Sequence, residues 1–323
     1  MYGCTIIFKQ LIMAVSVNTV YQRVLAIANK EQRGYVTPQE FNLFANQAQM
    51  DIFEQYFYDI NQFNRAPGND TEYSNMLDLL NEKLAIFQKY QQTISTINSS
   101  GIGTLPTDVY RLGTVMYSGG TYPIELDEVS QNDVLDLEKS PLTRATLNRP
   151  YFTRQDKTTI KLYPLSLASS TAVVNGATSS ATALVIDGQS TNRNIAVGDI
   201  VTNTDSSSPA GISGTITVAS LTDQNNLVLS SAQSLTNDRG LTFTPSVKCN
   251  YVDKPTTASF DYIVVNGEAL YNSTNSIDFE LHESEETELV LKILALAGVS
   301  IEDPQLYQIA SGEEVKKLQQ EKV

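Results

Sequence analysis

TPQEFNLFANQAQMDIFEQYFYDINQF, residues 37–63, is the stretch on which the fold turns. Thr37 stands where an N-cap is needed, Pro38 suits the first helical position, and Glu40 lies three residues past the cap, the spacing of a reciprocal capping box. Behind that start, Phe41, Phe44, Ala45, Ala48, Ile52, Tyr56, Ile60 and Phe63 recur three and four apart, which puts them on one face of a single long helix. Phe53, Phe57 and Tyr58 fall outside the stripe and widen it into a broad aromatic surface. Such a surface calls for cover, from the chain's own core or in part from a neighbouring subunit.

Upstream, a shorter helix is expected over residues 18–32, capped by Asn18, contributing Val20, Val24, Leu25, Ile27 and Ala28, and ended by Gly34. Residues 1–15 read as an extension, with Met13 an alternative start. Their short apolar stretch is split by Lys9 and Gln10 and makes a poor export signal. Downstream, NRAPGND at 64–70 breaks the chain, and a third helix is expected over 71–94 from Met76, Leu77, Leu80, Leu84, Phe87 and Tyr90 or Gln91. Lying antiparallel to the second helix, it would complete an α-hairpin.

After residue 100 the period changes from helix to strand. Strands are expected at 109–117 and 122–126 around a Gly119-Gly120 turn, a short helix at 129–139, and strands at 151–154 and 159–163. From 168 to 246 there is no Lys and no Glu, and Phe243 is the only aromatic. Within it ALVID at 183, DIVTN at 199, GTITVASL at 214, NLVLS at 226 and LTFTP at 241 alternate as short strands, which marks an inserted all-β module. The flanking segments, IKLYP at 160–164 and VKCNY at 247–251, are expected to pair as neighbours in a parent sheet.

Residues 260–266 lead into a loop, and LHESEETELVLKILALA at 281–297 reads as a buried helix with acids in its first turn and Gly298 as its cap. Asp303-Pro304 opens a last helix. The fold class is therefore α+β. A helical bundle or α-hairpin (helices within 18–94) joins a small antiparallel β unit (105–164 and 247–265), the inserted β module (168–246) and C-terminal helices (282–320). The core outside the insert is residues 16–167 with 247–323.

The chemistry is sparse. Of 323 residues, 22 are Lys or Arg and 36 are Asp or Glu, a net charge of −14 that argues against a general phosphate-backbone binder; no local basic cluster is read. Two distant cysteines, Cys4 and Cys249, and a lone His282 give no metal-ligand spacing. GIGTLP at 101 lacks the Lys-Ser/Thr of a phosphate loop, and HESEETE and DEVSQNDVLDLE read as solvated acidic faces. Asp187, Asp199, Asp205 and Asp223 match no calcium-loop pattern and read as turn formers. No catalytic, cofactor or metal residue is assigned, and no apolar run is long enough for a membrane span.

LPTDVYRL at 105–112, RPYFTRQDKTTIKLYP at 149–164 and VKCNYVDKP before a helical C-terminus resemble the head-to-tail connector proteins of tailed bacteriophages, of the adaptor, ring or tail-tubular group. The stretches at 18–63 and 279–304 resemble ring or structural proteins of crAss-like and related marine podophages. The resemblance implies a virion protein at the portal vertex without enzymatic activity. It would form a ring, commonly twelvefold, against a portal protein and adjacent tail or ring proteins, and pass double-stranded DNA through its channel without reading sequence. It implies that Leu105, Pro106, Asp108, Tyr110 and Arg111 mark the turn from helices to ring wall, and that Pro304, Leu306, Tyr307 and Ile309 dock on another protein. The inserted module would face outward, toward capsid, a tail component or glycans. A tail-tube, baseplate or minor capsid protein, or a glycan-binding module, are the other expectations.

Overall fold

In the computed structural model, which describes residues 14–30, 36–63, 76–94, 96–119, 122–190, 193–204, 212–265, 268–300, 312 and 316, the chain is a mixed α+β protein. It divides into two units, Met1–Phe87 with Pro255–Val323, and Gln88–Lys254. The first begins with α1 (Val17–Lys30), α2 (Pro38–Phe63) and α3 (Met76–Ala85). The second opens with β1 (Gln88–Thr93), β2 (Thr96–Ile97), β3 (Ile102–Thr104), β4 (Val109–Tyr117), β5 (Ile124–Glu128), α4 (Val134–Lys139), β6 (Tyr151–Arg154) and β7 (Thr159–Tyr163). It continues through β8 (Ser170–Val174), β9 (Thr178–Asp187), β10 (Ile200–Asn203), β11 (Ile216–Leu221), β12 (Asn226–Leu235) and β13 (Gly240–Thr244) to β14 (Val247–Asp253). The chain then re-enters the first unit with β15 (Tyr262–Val265), β16 (Glu268–Tyr271) and α5 (Glu286–Ser300).

The capping box forms as its spacing predicts. The Thr37 N–H (3.0 Å) and hydroxyl (2.8 Å) both donate to Glu40 Oε2 and hold its carboxyl below the ordinary range, while the Glu40 N–H donates to Thr37 Oγ1 (3.3 Å). Phe41, Ala45, Ala48, Ile52 and Tyr56 are buried, while Phe44, Ile60 and Phe63 sit half-buried at the margin of the stripe. Phe53 is buried too, its ring meeting Phe57 and Phe87 edge-on at 5.1 and 4.8 Å. Beside this apolar face runs a polar one. Asn42 exchanges two hydrogen bonds with the backbone of Phe260, Asn46 donates to the Ala258 carbonyl (2.9 Å) and Gln49 to that of Thr256 (2.8 Å). Amides three and four apart on a helix rise about 4.5–6 Å, close to the roughly 6.7 Å between alternate residues of an extended chain. Three side chains of α2 thus serve residues 256–260 as a strand partner would.

Several expectations change. Helix α1 starts at Val17, not at an Asn18 cap: the Ser16 carbonyl accepts from Val20 N–H, and Asp278 Oδ1 accepts from Val17 N–H (2.9 Å), a carboxylate set at the positive end of the helix. The third helix stops at Ala85 instead of running to residue 94. Its apolar stripe ends at Phe87, and the polar QKYQQT that follows pairs antiparallel with β14, so tertiary pairing overrides the local helical spacing of Tyr90 and Gln91. Residues 262–265, expected to belong to the β unit and lead into a loop, do form a strand, β15, but it pairs with β16 in a separate two-stranded sheet. Gly298 does not end α5, which runs through it to Ser300 with Gly298 buried. The acidic run is only partly solvated: Glu285 and Glu288 are buried, Glu285 paired with Lys83 (2.5 Å) and Glu288 near Lys292 (3.8 Å). His282 caps the turn that precedes α5, its Nδ1 accepting from Ser284 N–H. The expected 1–15 extension lies outside the described residues except for 14 and 15, and the 64–70 break lies wholly outside; of the last helix only Gly312 and Lys316 are described, both helical.

In the second unit β4, β6 and β7 take the expected bounds, β5 begins at Ile124 and α4 at Val134. The eight-stranded sheet has the order β1-β14-β4-β5-β6-β7-β3-β2. The expected pairing of the two segments flanking the insert does not occur, since β4, β5 and β6 lie between β14 and β7. Alternation in those segments sets which side chains face the core, and both do face it, but it does not choose the neighbour. The sheet's two outermost strands are nearly continuous in sequence, with only residues 94 and 95 between β1 and β2. One bent stretch therefore pairs with β14 through its first half and with β3 through its second. Its inward side chains, Ile94 and Ile97, join Leu105, Val115, Phe152, Leu162 and Cys249 in a single core. Burial pushes the Cys249 thiol up to about 11. Gly101, with φ +77°, allows the tight β2–β3 turn, in which the Asn98 side chain accepts from Ser100 and Ile102; this is the GIGTLP segment.

The insert folds into a closed barrel of six strands, β10-β11-β12-β9-β8-β13, around Val174, Leu184, Val201, Val218, Leu229 and Phe243. Where the turn before β10 approaches the end of β4, Arg193 and Asp199 form a fully buried ion pair, and Asp199 also accepts from Ala196 N–H (2.8 Å). Burial raises the Asp199 carboxyl to about 6 despite Arg193, and the buried Tyr117 hydroxyl nearby is pushed up as well, by burial and then by the Asp199 charge. Between the unfolded value near 3.8 and the folded value near 6, the native state binds the extra proton. Stability is therefore expected to rise by at most about 3 kcal/mol as pH falls from about 7 to about 4. Below that it should fall, as Asp156 (near 2) and Asp223, both held low by hydrogen bonds, are forced to protonate. Urea titrations from pH 7 to pH 4 check this, with Asp199→Asn flattening the rise; an unchanged slope in the variant counts against it.

Candidate assembly surfaces

The residues that the sequence singled out divide sharply. Leu105 is buried in the sheet core and its N–H donates to the Thr158 carbonyl (2.8 Å); Pro106 is half-buried. Asp108 accepts from the Tyr251 hydroxyl with both oxygens (3.1 Å each), while its carbonyl accepts from Lys254 N–H. Burial and the Asp108 carboxylate push the Tyr251 hydroxyl up. This group is a clasp between the turn before β4 and the end of β14. Tyr251→Phe should lose about 1.5–3 kcal/mol in denaturant titration, the range of a hydrogen bond to a charged group, with assembly unaffected. Tyr110 and Arg111 are exposed on β4 and are not brought together with the clasp. Pro304, Leu306, Tyr307 and Ile309 lie outside the described residues.

Two other surfaces stand out. The first is the β15–β16 hairpin, a two-stranded sheet in which Ile263 faces Leu270 and Val264 faces Ala269. Ile263 is 57% exposed and Leu270 51% on one face, and Val264 is 63% exposed on the other. Its base is held where Tyr271 meets Phe260 at 5.4 Å. A lone hairpin with apolar side chains in water on both faces is marginal by itself and leaves unpaired backbone groups along its edges.

The second surface is a groove of about 570 Å3 whose lining includes Arg144, Lys161, Tyr163, Glu138 and Leu165. Tyr163 is stacked on Tyr151 at 5.0 Å, and Lys161 Nζ lies 5.1 Å over the Tyr163 ring. Glu138 accepts from the Tyr151 hydroxyl (2.5 Å) and sits 3.8 Å from Arg144. The sequence leaves a local basic patch open and shows none; of the cations between Lys139 and Lys161 only Arg144 and Lys161 line the groove. Between Lys139 and Lys161 there are six basic residues and one acid, Asp156, although Asp136 and Glu138 directly precede them. Among the described residues Arg149, Arg154, Lys157 and Lys161 form no ion pair, and the first three are exposed. Charge summed over windows of about 20 residues would have found this segment in the sequence; the net charge of −14 hid it. Leu165, which lines the groove, is exposed, as are Leu142 and Leu147 in the segment between α4 and β6.

Among the described residues no cluster of three or more His, Cys, Asp or Glu side chains is placed to hold a metal ion, and no helix is long and apolar enough to cross a membrane. No protein-family model matches the chain, and no curated protein matches it in sequence.

Proposed function

We propose that this chain is a structural subunit of a ring at the portal vertex of a tailed bacteriophage, joining head to tail and letting double-stranded DNA pass through a central channel. The observation that carries the assembly role is the β15–β16 hairpin, whose Ile263, Val264 and Leu270 project into water from a two-stranded sheet. Its occupant is a second copy of this chain. In a closed ring every copy offers the same hairpin and receives the same hairpin, so each edge and apolar face is covered without an unpaired end. The virion setting comes from the resemblance of LPTDVYRL and the segments around it to connector proteins. On this reading the N-terminal helices form a bundle toward the portal or an adjacent ring, the copy number is twelve, and the barrel of residues 168–246 faces outward.

Native mass spectrometry with negative-stain microscopy tests the proposal, on the purified chain alone and with its portal protein. Closed rings of about a dozen copies are the expected result. Open tubes would move the reading to a tail-tube protein, and a monomer indifferent to the portal would remove it.

A further inference from the structure

We infer that neighbouring copies join edge to edge, β15 of one copy pairing antiparallel with β16 of the next, so that the hairpins close into one continuous barrel with two strands from each copy. This rests on the ring reading, in which a second copy covers the hairpin, and names the backbone groups that make the contact. The Asn272 N–H donates to the Asp261 carbonyl (2.9 Å), which marks 261 with 272 as a hydrogen-bonded pair. Bonded and non-bonded pairs alternate along an antiparallel ladder, so 263 with 270 and 265 with 268 are bonded as well. The pairs between them, 262 with 271 and 264 with 269, turn their N–H and C=O groups outward. Each strand of this two-stranded sheet has a single partner. Tyr262 and Val264 thus present one open edge, and Ala269 and Tyr271 an equal one on the other side.

Edges are commonly guarded by a charge, a proline or a bulge. Tyr262, Ile263, Val264, Ala269, Leu270 and Tyr271 include no charge and no proline, and their register runs without a shift. The alternative edge, β1, is bulged: Gln91, at φ +53°, turns its N–H back to the Asn250 side chain (2.7 Å). The best match for one edge of the hairpin is therefore its other edge in another copy. Rotation about an axis along the strands sets β16 of one copy beside β15 of the next, running the opposite way, and the same junction repeats until the ring closes. Residues 264 and 269 are already level within the hairpin, and a slip of two residues keeps every side chain on its face. Ile263 and Leu270 of adjacent copies then lie side by side on one face, with Val264 on the other. Two β15 edges paired about a two-fold axis would stop at a dimer and leave both β16 edges open.

Val264→Pro in the full chain tests the backbone contact. It removes an outward N–H and keeps an apolar side chain, at an edge position where proline leaves the hairpin's own bonds in place. Sedimentation velocity should show self-association weakened at least tenfold, with the thermal melt unchanged. A second experiment does not depend on that variant's fold: Val264→Cys copies are mixed with Ala269→Cys copies under mild oxidation, and the cross-links are read by peptide mass spectrometry. Disulfides joining position 264 of one copy to position 269 of another are the expected result. Links from 264 to 264 alone would show a two-fold pair and overturn the inference. Rings that survive Val264→Pro and give no link from 264 to 269 also overturn it, and leave the ring reading standing on other contacts. A native chain that stays monomeric, alone and with its portal protein, removes both.

Discussion

Ile263→Asp combined with Leu270→Asp is expected to abolish the proposed ring assembly and leave monomers that keep their fold. These two side chains face each other across the β15–β16 hairpin and are each more than half exposed in the isolated chain. Each is already about half buried, so covering the remainder in an interface is worth about 0.8–1.5 kcal/mol apiece, and losing both weakens each contact by roughly 10- to 10^2-fold. The cost of burying two carboxylates comes on top of that. Within the monomer little changes, since exposed substitutions away from caps and cores stay within about 0.5 kcal/mol. The measurement is native mass spectrometry beside a thermal melt. Intact rings from the double variant would show that the hairpin is not the contact, and a lowered melting temperature would show that it belongs to the chain's own core.

Arg193→Ala should be the most damaging single change in the second unit. It leaves Asp199 buried at the barrel's junction with β4, with only the Ala196 N–H to answer its charge. Removing one partner of a buried pair costs about 3–5 kcal/mol, which for a unit of this size lowers its melting temperature by roughly 6–20 °C. Because Arg193 is what pulls the Asp199 carboxyl down toward its ordinary range, the variant should also steepen the gain in stability on acidification. Calorimetry at about pH 7 and about pH 5 reads both effects, the second following from the titration of Asp199 itself. A variant that melts like the native chain at both pH values would mean that water reaches Asp199.

What the sequence disclosed follows how local each signal is. The capping box at Thr37 and Glu40 needs four consecutive residues, and β4, β6 and β7 need only alternation between turn residues, so all of them could be read directly. The end of α3 could not. Tyr90 and Gln91 continue its spacing, and only pairing with β14, some 160 residues away, turns that stretch into a strand. Likewise the start of α1 is met by Asp278, and residues 256–260 are held by Asn42, Asn46 and Gln49, partners more than 200 residues distant. Of the candidate site, the Asp108 clasp was found for a family reason and has a structural role. The basic segment from Lys139 to Lys161 was in plain view, but a whole-chain charge averages it away.

The bent stretch from β1 to β2 bears on how such a chain stays dispersed at high local concentration. An open sheet of eight strands has two edges along which any similar chain can add, the usual route to disordered aggregates. Here both edges belong to one continuous piece of chain, the strand at β1 is irregular between Lys89 and Gln92, and the strand at β2 is two residues long. The six-stranded barrel has no edge at all. The hairpin of β15 and β16 sets the exposed aliphatic Ile263, Val264 and Leu270 on strands with a β edge, while the edge strand β1 carries the exposed Tyr90. A chain built in this way offers a second copy few β edges along which to add.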